Sequence, residues 1–277
     1  MIRLRLITAL LAGLASLAGA AVIPLDAEVP YEPAEGSRPL RGLTITIDPG
    51  HGGSSHTEGY SGSARGIRSR VVEGDLNSLV ASQLYHYLRR GGAQVHLTRR
   101  DDQRVTFTGT GRSEELGARV EQAVDSRSHL FLALHHNSAP RRTADGVVVL
   151  IWPTDSQGQD QPLERAFADI LREEVETQVH HREEFPHYLS EHPLVMFSDI
   201  PSAVIEFGFL SNPEFDAWVS QPGAHRAEAR GVYNAIVRMW REHGDELEAL
   251  RTRLFPRGED EVAEDGEPPV SERRARR

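Results

Sequence analysis

The sequence has no cysteine among its 277 residues, which excludes disulfide bonds, cysteine nucleophiles and cysteine-based zinc sites. Any metal must therefore be bound by histidine and carboxylate side chains. The sequence also lacks an excess of basic residues, since 31 Lys and Arg stand against 41 Asp and Glu for a formal net charge of −10. This balance predicts no nucleic-acid partner. The hydrophobic fraction of 39% and the charged fraction of 26% are typical of a globular protein.

The N-terminal apolar stretch, residues 6–17, is shorter than the roughly 20 residues that a membrane-spanning helix requires. Arg3 and Arg5 precede this stretch, and Ala18-Gly19-Ala20 follows it. That order of charged, apolar and small residues is typical of a cleaved secretory signal, with a membrane anchor as the alternative. We expect residues 1–20 to be removed, no transmembrane segment after cleavage, and a periplasmic or secreted protein.

The middle of the chain alternates between strand and helix patterns. The proline-rich residues 21–42 predict a linker or a first wrap around the domain, and residues 244–277 predict a charged, disordered tail. Between them, residues 43–243 predict an α/β domain whose mostly parallel sheet is flanked by helices on both faces. The predicted strands are 43–47, 94–98, 130–134, 146–152 and 203–205, and the predicted helices are 76–88, 113–124, 163–179 and 224–243.

Three metal-ligand side chains lie at the ends of these predicted elements. His51 follows the first strand within Pro49-Gly50-His51-Gly52-Gly53, at the strand end where open α/β sheets place their chemistry. Glu73 lies just before the first helix, where the helix dipole alone would also favour an acid, and His135 ends the strand 130–134. Two imidazoles and one carboxylate form a zinc donor set that leaves a position open for water. The sequence therefore predicts a Zn²⁺ site.

Glu206 completes a candidate hydrolytic site. It follows the apolar strand 203–205 and precedes a turn that contains Gly208. A carboxylate at such a strand end can take a proton from an activated water and deliver it to a leaving amine. The alternative is an ion-paired loop carboxylate. We predict that Glu206 is the catalytic acid/base.

Six blocks of the sequence follow one another as in a known family. They are Ile45–Gly53, Val72–Asn77, Leu97–Arg99 with Asp102, Arg119, Leu134–Asn137 and Val204–Asn212. Together they resemble the zinc-dependent N-acetylmuramoyl-L-alanine amidases of the bacterial cell wall, over residues 43–240. The resemblance implies a six-stranded sheet, one zinc ion bound by His51, Glu73 and His135, and Glu206 as acid/base. It also implies peptidoglycan as the substrate, cleaved at the amide between N-acetylmuramic acid and L-alanine.

Three residues depart from the family pattern, namely Ala133 for serine, His136 for alanine and Phe207 for threonine. None of them is an implied ligand or the acid/base group. His136 nevertheless raises the question of which histidine of the pair binds the metal. The family register favours His135, and strand alternation directs His136 to the opposite face. Arg119 either orders the site, contacts a substrate carboxylate, or forms a salt bridge on a helix surface.

Partners and rival functions can also be predicted. No metal-ligand spacing relates the histidines at positions 180, 181, 187 and 192, and we expect them to be solvated residues near the substrate groove.

Family members controlled by an activator carry a long inhibitory helix before the final glutamate. The 69 positions from Asn137 to Glu206 leave no room for that helix, which predicts no obligate activator. A non-catalytic peptidoglycan-binding protein and a stem-peptide zinc peptidase are the alternative functions.

Overall fold

Strands and helices alternate along the chain in a computed structural model that describes residues 37–52, 63–100, 112–152, 154, 158–179, 188–189, 192–196 and 199–256. The strands are β1 (Thr44–Pro49), β2 (Gln94–Leu97), β3 (Leu130–Asn137), β4 (Val148–Ile151), β5 (Tyr188–Leu189) and β6 (Ser202–Phe209). The helices are α1 (Glu73–Arg90), α2 (Arg112–Asp125), α3 (Pro162–Glu176), α4 (Pro193–Met196), α5 (Pro213–Val219) and α6 (Ala224–Leu254). The predictions for residues 1–36, Asp102, three histidines of the cluster and residues 257–277 lie outside the described ranges.

The strands form one sheet in the order β2-β1-β3-β6-β4-β5. All neighbouring pairs are parallel except β4 and β6, which run antiparallel. The predicted α/β class with a mostly parallel sheet is confirmed. Strands β1, β3 and β6 are consecutive in this order, so their carboxyl ends meet near the middle of one sheet edge.

Alternate residues of β3 enter two different apolar clusters. Leu130, Leu132 and Leu134 pack with buried side chains of α1, α3 and α6. Phe131 and Ala133 pack with side chains of α2 and α4. Because strand side chains alternate between faces, odd-numbered residues of β3 face α2 and α4, and even-numbered residues face α1 and α6. This alternation separates His135 from His136.

The predicted end of the last helix at about His243 is wrong, because α6 continues through Gly244 to Leu254. A glycine inside a helix costs only about 1 kcal/mol, which tertiary contacts readily offset. Leu247 is buried in the core, and Glu248 Oε2 lies 2.6 Å from His129 Nε2. Residues 244–254 of the predicted tail are therefore helical and packed.

Packing begins slightly before the predicted first strand. Leu40 is fully buried, and its backbone N–H donates to the carbonyl oxygen of Gly91 over 2.9 Å. The short elements β5, α4 and α5 were not predicted, since each is too brief to show a period. Across the described ranges, no helix combines the length and apolar character needed to cross a membrane.

Glu164, near the start of α3, predicts an unusual pH dependence of stability. Its side chain is fully buried; Oε1 accepts from the Ser202 backbone N–H, and Oε2 has no hydrogen-bond partner among the described residues. Burial raises the pKa of Glu164 to about 9. The folded protein therefore keeps this proton while the unfolded chain releases it near the ordinary pKa of 4.5. Stability contributed by the neutral acid is complete below pH 4.5 and falls as the pH rises towards 9.

We expect Glu164→Gln to stabilise the protein at neutral pH, because the amide retains an acceptor for Ser202 and never ionises. The gain at pH 7 is at most about 3–4 kcal/mol, from the 2.5 pKa units between 4.5 and 7 at about 1.4 kcal/mol each. Thermal unfolding of both proteins from pH 5 to 8.5 measures it, with the exposed Glu121→Gln as control. Parallel Tm profiles for the wild type and Glu164→Gln would contradict the assignment.

Candidate metal centre and catalytic site

The candidate site lies at the carboxyl ends of the three neighbouring strands. His51 follows β1, His135 lies near the end of β3, and Glu206 lies in β6 directly opposite His135 in the strand register. Glu73 is the first residue of α1. His135 and Glu206 share the face occupied by α2 and α4, because Ala133 and Val204, two residues earlier in each strand, pack there.

His51, Glu73 and His135 converge on one point. Glu73 Oε1 lies 2.9 Å from His51 Nε2 and 3.0 Å from His135 Nδ1. One ligand atom from each of the three residues lies within 4.8 Å of the other two. The centre is largely enclosed, since Glu73 is only 3% exposed. Residues that are 22 and 62 positions apart in sequence are thereby brought to a single site.

The electrostatics of these side chains suit a cation. Burial alone would raise the pKa of Glu73, but hydrogen bonds from His135 and His51 hold it well below its usual range. Glu73 is therefore ionised. Burial lowers the pKa of His135 more than Glu73 raises it, so this imidazole is neutral near pH 7. A carboxylate and a neutral imidazole are the forms in which these residues bind a metal.

Glu206 lies beside this centre with an unusual charge state. Its Oε2 is buried and has no hydrogen-bond partner within the described part of the chain. Burial, and secondly the negative charge of Glu73, raise the pKa of Glu206 well above its usual range. A carboxyl group whose pKa is displaced towards neutrality is suited to both accepting and donating a proton.

The residues present fit a zinc ion. Two histidines and a glutamate converge as the protein ligands of a catalytic zinc site do, and Glu206, whose Oε2 has no partner among the described residues, lies opposite His135 in the neighbouring strand. Gly50 leaves room for the imidazole of His135, because a Cβ at position 50 would lie only 2.1 Å from His135 Nε2. No other residue type fits there without displacing the imidazole.

Two buried arginines hold the turn that carries His51. His51 has a φ of 60°, an uncommon left-handed conformation for a non-glycine residue. Arg119 Nη2 donates to the His51 carbonyl oxygen over 2.6 Å, and Nη1 lies 2.7 Å from Asp48 Oδ1. Arg99 donates to the carbonyl oxygens of Pro49 and Gly50 over 2.8 and 2.9 Å. The helix-surface alternative for Arg119 is wrong, since its side chain is 2% exposed and bonded to the site.

His136 and His192, which the sequence also singled out, lie in different places. His136 faces α6, away from the metal centre, where its Nε2 lies 3.1 Å from Glu228 Oε1. His192 contributes to a cavity of about 30 Å³ whose wall also contains His51, His135 and Arg119. Sequence reasoning placed His192 near the groove only as part of a cluster, because no motif links it to the metal ligands.

Comparison with known proteins relates most of the chain to one family. Residues 45–238 match the family described as N-acetylmuramoyl-L-alanine amidase. The germination-specific N-acetylmuramoyl-L-alanine amidase of Bacillus subtilis is 28% identical over 216 residues, covering 76% of this chain and 84% of that protein. The probable cell wall amidase LytH of Staphylococcus aureus is 27% identical over 180 residues, covering 63% of this chain and half of LytH.

Solved structures share the fold. The CwlD amidase of Clostridioides difficile, in complex with the GerS lipoprotein, matches 72% of this chain and 99% of that chain at a TM-score of 0.61 and 24% identity. The amidase Ami1 of Mycobacterium smegmatis matches 73% of this chain and 99% of that chain at a TM-score of 0.62 and 17% identity.

Proposed function

Because this chain belongs to the N-acetylmuramoyl-L-alanine amidase family, we propose that it is a zinc-dependent hydrolase of peptidoglycan. The bond cleaved is the amide between N-acetylmuramic acid and the L-alanine of the stem peptide. The observation that carries this proposal is the convergence of His51, Glu73 and His135 beside Glu206. A protein that only binds peptidoglycan would have no use for a carboxyl group prepared for proton transfer.

The residues of the site have separate roles in the proposed reaction. His51, Glu73 and His135 would hold the zinc ion, which, when bound, supplies Lewis-acid activation of water and of the amide carbonyl. Glu206 removes a proton from the attacking water. It then returns that proton to the alanine nitrogen, which leaves as a neutral amine. Arg119 and Arg99 keep the His51 turn in its strained conformation throughout.

The proposal also covers the compartment in which the protein acts and whether it needs an activator. We infer that residues 1–20 direct it out of the cytoplasm, where peptidoglycan is accessible. We also infer that it acts without an obligate activator. In support, the described part of the segment from Asn137 to Glu206 contains the core helix α3 and the four-residue α4. Helix α3 is committed to the core through Phe167 and Leu171.

Digestion of purified peptidoglycan by residues 21–277 tests the reaction. We expect release of intact stem peptides that begin with L-alanine, detected by mass spectrometry, without any added protein. A chelator should abolish release, and Zn²⁺ should restore it, because the proposed water activation requires the metal. Binding without release would indicate a recognition protein, and cleavage inside the stem would indicate a peptidase. Activity only after a second protein is added would contradict the activator proposal alone.

A further inference from the structure

His136 is a buried histidine whose side chain the proposed reaction does not use. The resemblance to the family gives alanine at this position, so the imidazole departs from the family pattern. Its side chain is only 1% exposed and lies among Phe207 and Phe215, with ring centroids 5.3 and 6.1 Å away. A polar ring in such surroundings is stable only when both of its nitrogens have partners.

Both nitrogens have partners, on two different helices. His136 Nδ1 lies 2.8 Å from Asn77 Oδ1 in α1, and Nε2 lies 3.1 Å from Glu228 Oε1 in α6. Asn77 Nδ2 donates to the carbonyl oxygen of Gly50 over 3.2 Å, which identifies Oδ1 as the acceptor and Nδ1 as the donor. Glu228 is fully buried, like Asn77. The imidazole therefore connects β3 to both helices.

The same residue is linked, directly or through Asn77, to every segment that carries a metal ligand. Its backbone N–H donates to Glu73 Oε1 over 3.2 Å, the oxygen that His51 and His135 also approach. Through Asn77 it reaches Gly50, the residue before His51, and in the chain it follows His135 directly. A shift of His136 would therefore disturb all three ligands together.

We propose that His136 and Glu228 form a positioning pair for the metal centre. The pair fixes the end of β3 against α1 and α6, and so holds Glu73 and the His51 turn at the spacing that zinc requires. This inference rests on the proposed zinc site. Groups that orient metal ligands in this way usually contribute 10- to 100-fold to metal affinity. An apolar pair of similar volume would fill the space without orienting Asn77.

Zinc affinity, measured by competition with a fluorescent chelator on the metal-free protein of residues 21–277, tests this role. His136→Phe combined with Glu228→Leu keeps the volume and removes the hydrogen bonds. We expect the Kd for zinc to rise 10- to 100-fold while the Tm stays within a few degrees of wild type. Glu228→Gln offers both an amide oxygen and an amide N–H to His136 Nε2, so it keeps a hydrogen-bond partner there and should change the Kd less than about threefold. His243→Ala, on the outer part of α6, is the matched control.

The possible results separate the inference from the proposed function. Wild-type zinc affinity in the double variant, or an equal loss in Glu228→Gln, would overturn the positioning role and leave the amidase proposal intact. A double variant that loses affinity only in proportion to a large fall in Tm would also overturn it, since the pair would then act on folding alone. Absence of zinc binding by the wild type would overturn the metal centre itself, and the pair with it.

Discussion

Glu206→Gln is expected to lower kcat for peptidoglycan hydrolysis by about 10³-fold or more, within or above the range usual for loss of a general acid/base. Glutamine keeps the size of the side chain but can neither take the proton from water nor return it to the leaving nitrogen. Zinc content should be unchanged, because Glu206 is not among the three converging ligands. Release of stem peptides, followed by mass spectrometry over time, measures the effect.

The pH dependence of the hydrolysis rate is a second test of the role of Glu206. Burial and the charge of Glu73 raise the pKa of Glu206, so its ionised, proton-accepting form appears only at higher pH than for an ordinary glutamate. We expect kcat/KM of the wild type to fall as the pH decreases through that raised pKa, and this acid limb to vanish in Glu206→Gln. Glu246→Gln, an exposed change on α6, should retain the wild-type profile. An unaltered rate in Glu206→Gln would remove Glu206 from the mechanism and favour a different base.

The parts of the fold that the sequence predicts are those with a strong local pattern. The strands β1 and β3 and the helix α1 each show a regular apolar period, and the structure places them within a few residues of the predicted bounds. The end of α6 was missed because Gly244 and the charges after it suggested a stop. Its continuation depends on tertiary contacts, including burial of Leu247, which no local pattern contains.

The candidate site, too, could be predicted from the sequence only in part. His51, Glu73, His135 and Glu206 lie at predicted ends of elements, so topology alone indicated that they could meet. The partner of His136 could not be identified, because Glu228 is 92 residues away and no local pattern connects the two residues. The surroundings of Arg119 were equally hidden: a charged residue on an amphipathic helix usually faces solvent, whereas this one points into the sheet edge.

Arg119→Met should damage both stability and the metal centre. It would leave the Asp48 carboxylate buried without its cation, and removing one partner of such a pair typically costs about 3–5 kcal/mol. It would also free the His51 carbonyl, so that the strained turn can relax away from Glu73 and His135. We expect a marked fall in Tm and a loss of activity on the order of 10²-fold, measured by thermal unfolding and by peptide release.

Two companion variants separate the charge of Arg119 from its geometry. Burial alone would raise the pKa of Asp48, but Arg119 and Thr98 lower it. The ion pair therefore stabilises the fold at pH values above the ordinary carboxyl pKa, and this stabilisation is lost as the pH falls through the lowered pKa of Asp48. Adding Asp48→Asn to Arg119→Met should therefore restore much of the stability without restoring activity.

Arg119→Lys keeps the charge but lacks the planar guanidinium group that reaches Asp48 and His51 together. It should be more stable than Arg119→Met and still bind zinc more weakly than the wild type. Full activity in Arg119→Lys would show that charge alone suffices and that the guanidinium group does not hold the His51 turn.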